Sequence, residues 1–463
     1  MRSASLRTSL AVALLIGIGC AFSDSAEINP AQNNPGTPWL KSAPKSVFAH
    51  FMVAYRNKSF SGAWSGWNYS NAHVSHNPDQ MDPDGRRDIA SVYYPTIGAY
   101  DMTDPYLVEE HCQLLKMIGV DGIVFALGAF DGSWWVASVK LYLDALKRYG
   151  MHGVIDYQES HLWQWPDPAI TTREEAINRM YFEMTQWLQT FKETQYKVRD
   201  RPLLTVFTYE KTTPLGLSRM STVELKTWLE QFPLESRPLF VTSWFRDEYA
   251  GIINGDYDWP KIEGSPPSGT VYRAYSDMEK SVQLQDEREK IRNARFESGK
   301  IDFYIAGTWP GFDDSAVWGW GGGPRCIPRL NGALYRYQWE RVLASNIPII
   351  RLITWNDWNE GTNIEPSAEF GYRYVEMARD YIATFKNVPR SESNLQVPEW
   401  IYKIRKSSRE PAVLKWMDKA SEEIRKGNYA KAESIVQPLA EKLNIRAPRY
   451  WDLNGVLSGP STH

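Results

Sequence analysis

Cysteine is scarce, with three residues in 463. Cys20 lies in an N-terminal leader-like segment, so a mature chain would keep Cys112 and Cys326 alone. A disulfide framework is therefore excluded as the source of stability, and a chain this long needs none. Cys112, inside EEHCQLLK, reads as a small buried hydrophobe. No cysteine pair has zinc spacing. Histidine is also sparse, at seven. The closest pair, His73 and His76, stands in a polar loop without further ligands, so no metal site is expected. No excess of one charge exists either. Lys and Arg total 52 against 55 for Asp and Glu, a net charge of -3. That removes the basic footprint nucleic acid would require. No later apolar run approaches the roughly 20 residues of a membrane span. Neither GxGxxG nor a P-loop occurs, and no cofactor is expected.

What the chain has in excess is aromatic surface: 20 Trp, 25 Tyr and 17 Phe. So many large flat faces suit a site that stacks sugar rings. The alternative is that they fill a large core. The first 26 residues are a separate object. Arg2 and Arg7 precede an apolar run over 10–20, then Ala21, Ser23, Ser25 and Ala26. This is the layout of a secretory signal peptide and predicts a secreted, periplasmic or cell-surface protein. Cys20 adds a lipoprotein alternative. Residues 27–44, rich in Pro and Asn, read as a linker.

From there an alternation sets in. Apolar, β-branched runs occur at 46–54, 122–127, 153–157, 203–208, 239–244, weakly at 251–259, then at 303–307 and 347–354. Helix-like stretches fall at 104–118, 134–149, 277–298, 332–345 and 368–385. Two more open on capping boxes, Thr172-x-x-Glu175 and Ser221-x-x-Glu224. Nearly continuous apolar strands are strands buried on both faces. Eight strand–helix alternations predict an α/β fold, a (β/α)8 TIM barrel over 45–390, with an open doubly wound sheet as the alternative. Residues 391–463 change character. EEIRKGNYAKAESIV reads as a helix-turn-helix hairpin, a small C-terminal helical appendage that packs on the barrel or binds a partner.

Catalytic groups in such barrels stand at the C-terminal ends of the strands. The last strand runs into Trp355-Asn356-Asp357-Trp358-Asn359-Glu360-Gly361, with Glu365 beyond. One turn of helix-like backbone would set Asp357 and Glu360 on one face. Paired carboxylates split their pKa values into an acid and a base, the equipment of glycoside hydrolysis. The alternative is that Asp357 caps the turn and Glu360 pairs with an arginine. The remaining strand ends are also acidic and aromatic: His50; Asp131 with Trp134 and Trp135; Glu159 with Trp163 and Trp165; Tyr209-Glu210; and Trp309 with Asp313 and Asp314 before a flexible GWGGGPR run. Together they suggest a carbohydrate cleft. His50 alone also reads as a hydrogen-bonded structural histidine.

These residues carry a family resemblance. FAHFMV at 48–53 resembles the opening of glycoside hydrolase family 71, the α-1,3-glucanases. YYPTIGAYDMTDP with EEHCQLLKMIGVDGIVF, PGFDDS, the Arg325/Arg329–Asn331-Gly332–Tyr335 run and ITWNDWNEGTNIEPS are similar, in order, to family 99, the endo-α-mannosidases and endo-α-mannanases. The resemblance covers most of 45–385. It implies an endo-acting, retaining hydrolase of an α-linked polysaccharide or glycan. One acidic residue would draw the sugar 2-hydroxyl onto the anomeric carbon and a second would act as general acid, then base. Carried over from N-E-W-H-E-G, Asp357 takes the first role and Glu360 the second. Asp for Glu at 357 and Asn359 for His depart from the family 99 pattern, and Asp357 is similar to family 71. The resemblance also implies sugar contacts at Glu159 and at Trp134 or Trp135. His50, Trp309, Asp313, Asp314, Trp355, Asn356 and Trp358 complete the expected substrate-binding set. An α-1,3-glucanase and a non-catalytic glycan-binding barrel are the rival readings.

Overall fold

The apolar runs become eight parallel strands in the computed structural model of the chain. The structure describes residues 43–131, 133–159, 161–162, 170–208, 212–213, 215–217, 219–260, 275–345, 347–445, 450–451 and 457–458. The expected leader, most of the linker, Trp163, Trp165 and the Tyr209-Glu210 pair lie outside these residues. The strands are β1 Ser46–Met52, β2 Gly122–Leu127, β3 His152–Gln158, β4 Arg201–Phe207, β5 Leu239–Thr242, β6 Gly255–Tyr257, β7 Phe303–Thr308 and β8 Ile349–Leu352. Each pairs with the next in chain order; β8 pairs with β1, and β4 with β5, so the sheet closes on itself. That closure excludes the open doubly wound alternative. The two-residue strand Lys197–Val198 adds antiparallel to β4.

The connecting helices are α1 Pro105–Met117, α2 Trp134–Tyr149, α3 Arg173–Phe191, α4 Thr222–Leu229, α5 Tyr275–Glu297, α6 Ala333–Ala344 and α7 Arg373–Lys386. Both capping boxes form. Thr172 with Glu175 opens α3, and Ser221 with Glu224 opens α4. Each such cap contributes about 1 kcal/mol. Two expectations need correction. Among the described residues the β5–β6 connection holds only one 3-10 turn, Asp247–Tyr249, so one alternation lacks its helix. α7 begins at Arg373 rather than 368, because the preceding residues fold back in turns, with Gly371 N–H bonded to Ser367 O.

β2 is buried on both faces along its whole length, which explains why it reads as one apolar run. Inward residues, among them Phe48, Val124, Val154, Leu203, Val241, Ile305 and Ile349, fill the barrel. Above this layer the interior turns polar. Arg351 of β8 crosses the barrel, reaching Asp156 Oδ1 of β3 at 3.3 Å and donating to Thr205 Oγ1 of β4 at 2.7 Å. Its guanidinium lies 3.9 Å from the ring centre of Tyr257 on β6. One side chain thus links four strands beneath the C-terminal face.

The C-terminal region is more than the expected single hairpin. Three helices form there: α8 Val397–Ser407, α9 Pro411–Arg425 and α10 Tyr429–Lys442. Ile401, Ile404, Met417, Ile424 and Val436 join the same apolar cluster as α1. Gln113 of α1 donates to Ser421 Oγ at 2.9 Å, and Lys406 pairs with Asp104 at 2.7 Å. Much of this appendage's apolar surface is therefore spent on the barrel. Cys112 is fully buried in α1, and neither Cys112 nor Cys326 is in a disulfide. No helix among the described residues is long and apolar enough to cross a membrane.

Removing one partner of a buried ion pair strands the other. Arg351→Ala is therefore expected to lower unfolding free energy by about 3–5 kcal/mol, read as the urea midpoint at constant m. A loss below about 1 kcal/mol would mean that Asp156 is held adequately by Thr205 and Gln158, which both donate to its carboxylate.

Candidate active site

The segment after β8 forms a tight, buried turn, tied to its neighbours mainly through backbone. Ile353 N–H bonds Thr308 O of β7 at 2.8 Å, and Trp355 N–H bonds His50 O of β1 at 2.7 Å. Asn356 pairs with Met52 in both directions, its Oδ1 accepting from Met52 N at 2.8 Å and its Nδ2 donating to Met52 O at 3.1 Å. Thr354 Oγ1 accepts from Asp357 N at 2.8 Å and bonds Thr362 Oγ1 at 2.9 Å. Glu360 O accepts from Asp313 N at 2.8 Å. Gly361 follows at φ +60°, and an added Cβ would stand 2.8 Å from Asp313 O. Only glycine fits that backbone at that approach. Arg329 closes the outside, donating from Nη2 to Gly361 O and Asn363 O, each at 2.9 Å. Its guanidinium sits among Tyr93, Phe370 and Tyr374, 4.6 to 4.8 Å from each ring centre.

This turn presents Asp357 and Glu360 together. Asp357 Oδ1 accepts from Glu360 N at 3.0 Å, so Asp357 does cap the turn, and that cap is what places the second carboxyl. Asp357 is buried, whereas Glu360 keeps partial exposure. Burial, then the neighbouring Glu360 charge, push the Asp357 carboxyl well above the usual range, against the pull of the Glu360 N–H. Burial also raises Glu360, opposed by the Arg325 charge and the Trp320 N–H. Trp320 Nε1 donates to Glu360 Oε1 at 3.0 Å. Two such groups titrate as a pair, in which ionising one makes the other harder to ionise. Arg325 and Trp320 favour charge on Glu360, so of the two Asp357 holds its proton the more tightly.

Asp313 and Asp314 support this pair from the β7 side. Asp314 is fully buried and accepts from Arg325 N at 2.6 Å and Arg325 Nε at 2.7 Å, holding the cation near Glu360. Asp313 Oδ1 accepts from Ser315 N at 3.1 Å and borders a cavity of about 290 Å3 shared with Tyr93, Arg329 and Phe370. The GWGGGPR run, expected to be flexible, is anchored. Gly319 N–H bonds Asp314 O at 3.0 Å, and His76 bridges Asp88 at 2.7 Å and Ala316 O at 2.9 Å. Trp318 and Trp320 both adopt left-handed backbone, φ 51° and 56°. That costs on the order of 1–3 kcal/mol per residue.

The other expected residues divide. Glu159, at the end of β3, is buried; its Oε1 accepts from Met220 N at 2.7 Å, and its Oε2 has no hydrogen-bond partner among the described residues. Burial pushes its carboxyl up to about 8, against the Met220 N–H and the charges of Arg219 and Arg173. It shares no hydrogen-bond partner with the Asp357–Glu360 pair. Trp134 and Trp135 are half-buried at the start of α2. Arg56 covers Trp134 at 5.1 Å, and Trp135 donates to Asp131 at 3.1 Å. His50 is buried with its ring edge-on to Trp259 at 4.9 Å, and burial, then the Arg351 charge, hold its imidazole well below the usual value and neutral.

Four expectations of direct sugar contact are corrected. Trp309, Trp355, Asn356 and Trp358 are fully buried. Trp309 packs with Phe312, Ile327 and Leu334. Trp355 lies parallel to Phe51 at 6.1 Å, and Trp358 donates to Tyr100 Oη at 3.0 Å and Glu365 Oε2 at 3.1 Å. These four position the turn rather than contact a ligand. Asn359 turns away as well, donating to Gly66 O and Ala90 O. Trp320 and Thr354 were not anticipated as site residues. A tryptophan amid glycines was the one available signal for Trp320. Arg325 stood in a noted motif without an assigned role. No group of three or more metal-ligating side chains occurs among the described residues.

No protein-family model matches the chain. It is similar to the glycoprotein endo-alpha-1,2-mannosidase-like protein of Danio rerio, 23% identical over 300 residues, 63% of this chain and 61% of the relative. It is also similar to the glycoprotein endo-alpha-1,2-mannosidase of Rattus norvegicus, 19% identical over 337 residues, 70% and 68% respectively. The chain thus spans about three fifths of the Danio relative's length. Among solved structures, the GH99 endo-alpha-mannosidase from Bacteroides thetaiotaomicron shares the fold, with a TM-score of 0.52, 16% identity, and 74% of this chain against 97% of that one.

A carboxyl raised to about 8 keeps its proton in the fold while the unfolded chain releases it near 4.5. Its contribution to stability therefore falls as pH rises from about 4.5 to about 8. Glu159→Gln should flatten that slope and stabilise the protein at pH 8 by a few kcal/mol on an order-of-magnitude basis. Thermal unfolding of both proteins between pH 5 and pH 8.5 checks this (approximate window); parallel curves would contradict it.

Proposed function

We propose that this chain is a glycoside hydrolase cleaving α-linked glycans, of endo-α-mannosidase type, and that Asp357 and Glu360 carry the reaction. The observation that carries this reading is the carboxyl pair itself, Asp357 capping the turn at Glu360 N–H, with burial raising both acids. The similarity to endo-alpha-1,2-mannosidases supports an α-mannan-type substrate. The leader-like first 26 residues support export, to the medium, periplasm or cell surface.

In this reading Asp357 is the base. It accepts the proton of the sugar 2-hydroxyl as that oxygen attacks the anomeric carbon and the glycosidic bond breaks. Glu360 protonates the departing oxygen, then activates water to open the 1,2-anhydro intermediate, and the anomeric configuration is retained. These roles require the proton on Glu360 and the charge on Asp357, against the preference set by Arg325 and Trp320. Substrate supplies the inversion. A 2-hydroxyl donating to Asp357 stabilises its anion, and a glycosidic oxygen accepting from Glu360 stabilises its neutral acid. Burial keeps the transfer inside a low-dielectric site, where such hydrogen bonds discriminate strongly.

Glu360→Gln preserves size and the Trp320 contact but cannot transfer a proton. It should lower turnover of α-mannan by about 10²–10⁴-fold while leaving thermal stability near wild type, and Asp357→Asn should do nearly the same. Chromatography of released oligosaccharides is the check. Substantial residual turnover in Glu360→Gln would sink the assignment. Products from α-1,3-glucan but not from α-mannan would move the substrate to the rival glucanase reading.

A further inference from the structure

Of the fully buried large side chains, seven are tryptophans; Trp320, beside Glu360, is instead 48% exposed. Its edge is committed, since the indole N–H is bonded to Glu360 Oε1 at 3.0 Å. The ring is held from the β1–α1 excursion. Tyr69 meets it edge-on at 5.2 Å and 84°, and Trp318 next door stacks on His73 at 4.9 Å and 18°. The backbone at both tryptophans is left-handed, a conformation glycine would adopt without strain, and glycines 319, 321 and 323 interleave them. A loop that keeps Trp at such a position has a use for the indole.

That use follows from the chemistry of the acid. The proton of Glu360 goes to the glycosidic oxygen, so the departing sugar hangs beside the Glu360 carboxyl. The large apolar surface Trp320 leaves there suits the C–H face of a pyranose. With its N–H on Oε1, the indole also makes Oε1 the acceptor oxygen and leaves the acid's proton to Oε2. We propose that Trp320 is a specificity residue, the platform for the sugar on the leaving-group side of the scissile bond, which also orients Glu360. This rests on the hydrolase reading above.

The test compares two donors that differ only beyond the scissile bond. An α-1,2-linked mannotetraose needs a leaving-group sugar, whereas α-mannobiosyl fluoride has none. Trp320→Gly removes the indole and suits the left-handed backbone, so the loop is retained. The ratio of kcat/KM for tetraose to that for fluoride should fall roughly tenfold or more in Trp320→Gly, mainly through KM. Trp320→Phe should keep most of the ratio, and it should move the basic limb of the pH profile upward, because Glu360 loses a donor that favours its charged form. An active wild type whose ratio is unchanged within about threefold in Trp320→Gly would overturn the platform alone. Equal loss on both donors would do the same, marking Trp320 as purely structural. A wild type that turns over neither donor would refute the endo-α-mannosidase reading, and this inference with it.

Discussion

The site depends on one constraint: the turn between Thr354 and Asn363 has almost no freedom to move. It is bonded to β7 through Thr308, to β1 through His50 and Met52, and to the loop beyond β7 through Asp313. Gly361 has to pass within van der Waals contact of Asp313, and Arg329 pins the carbonyls on either side of Thr362. Backbone bonds and side-chain amides fix the carbonyls, so the two carboxyls are left for chemistry. Asp357 makes its bond to Glu360 N with one oxygen, and that bond brings the second acid alongside the first. The cap and the pairing of the two carboxyls are here the same arrangement.

The electrostatics follow from that geometry. Desolvation raises both acids, and among the described residues no cation is bonded directly to Asp357. The available cation, Arg325, is held by Asp314 at a position where it acts on Glu360. The barrel interior below is treated differently, for Asp156 is matched by Arg351 at once. Buried charge is thus matched at Asp156, whereas at Asp357 burial and the Glu360 charge both oppose ionisation. Glu159 is a second frustrated carboxyl on the same barrel, held by a single backbone N–H.

Much of this was legible in the residues. β2 and its neighbours are buried on both faces, which writes itself into the chain as unbroken apolar runs. Asp357 and Glu360 stood out because three carboxyls crowd the end of one such run. Tryptophan misled. Trp67, Trp187, Trp228, Trp309, Trp339, Trp355 and Trp358 are core, so the aromatic excess measures packing more than sugar binding. In an irregular turn no period tells an inward Trp355 from an outward one. Trp320 was hidden for the opposite reason. Glycines around it read as flexibility, whereas they supply the left-handed backbone that aims the indole. α8 falls within 397–445, which reads as helical, but its place as a third element beside the hairpin is set by its packing on α1.

The account turns on a proton shared by Asp357 and Glu360. Difference infrared spectroscopy of wild type against Asp357→Asn at neutral pH reads it directly. The account predicts a carboxylic-acid C=O band in the wild type that disappears in the variant, since Glu360 alone is ionised beside Arg325 and Trp320. Identical spectra in the carboxylic-acid region would show that Asp357 carries no proton, and the coupled pair would have to be abandoned.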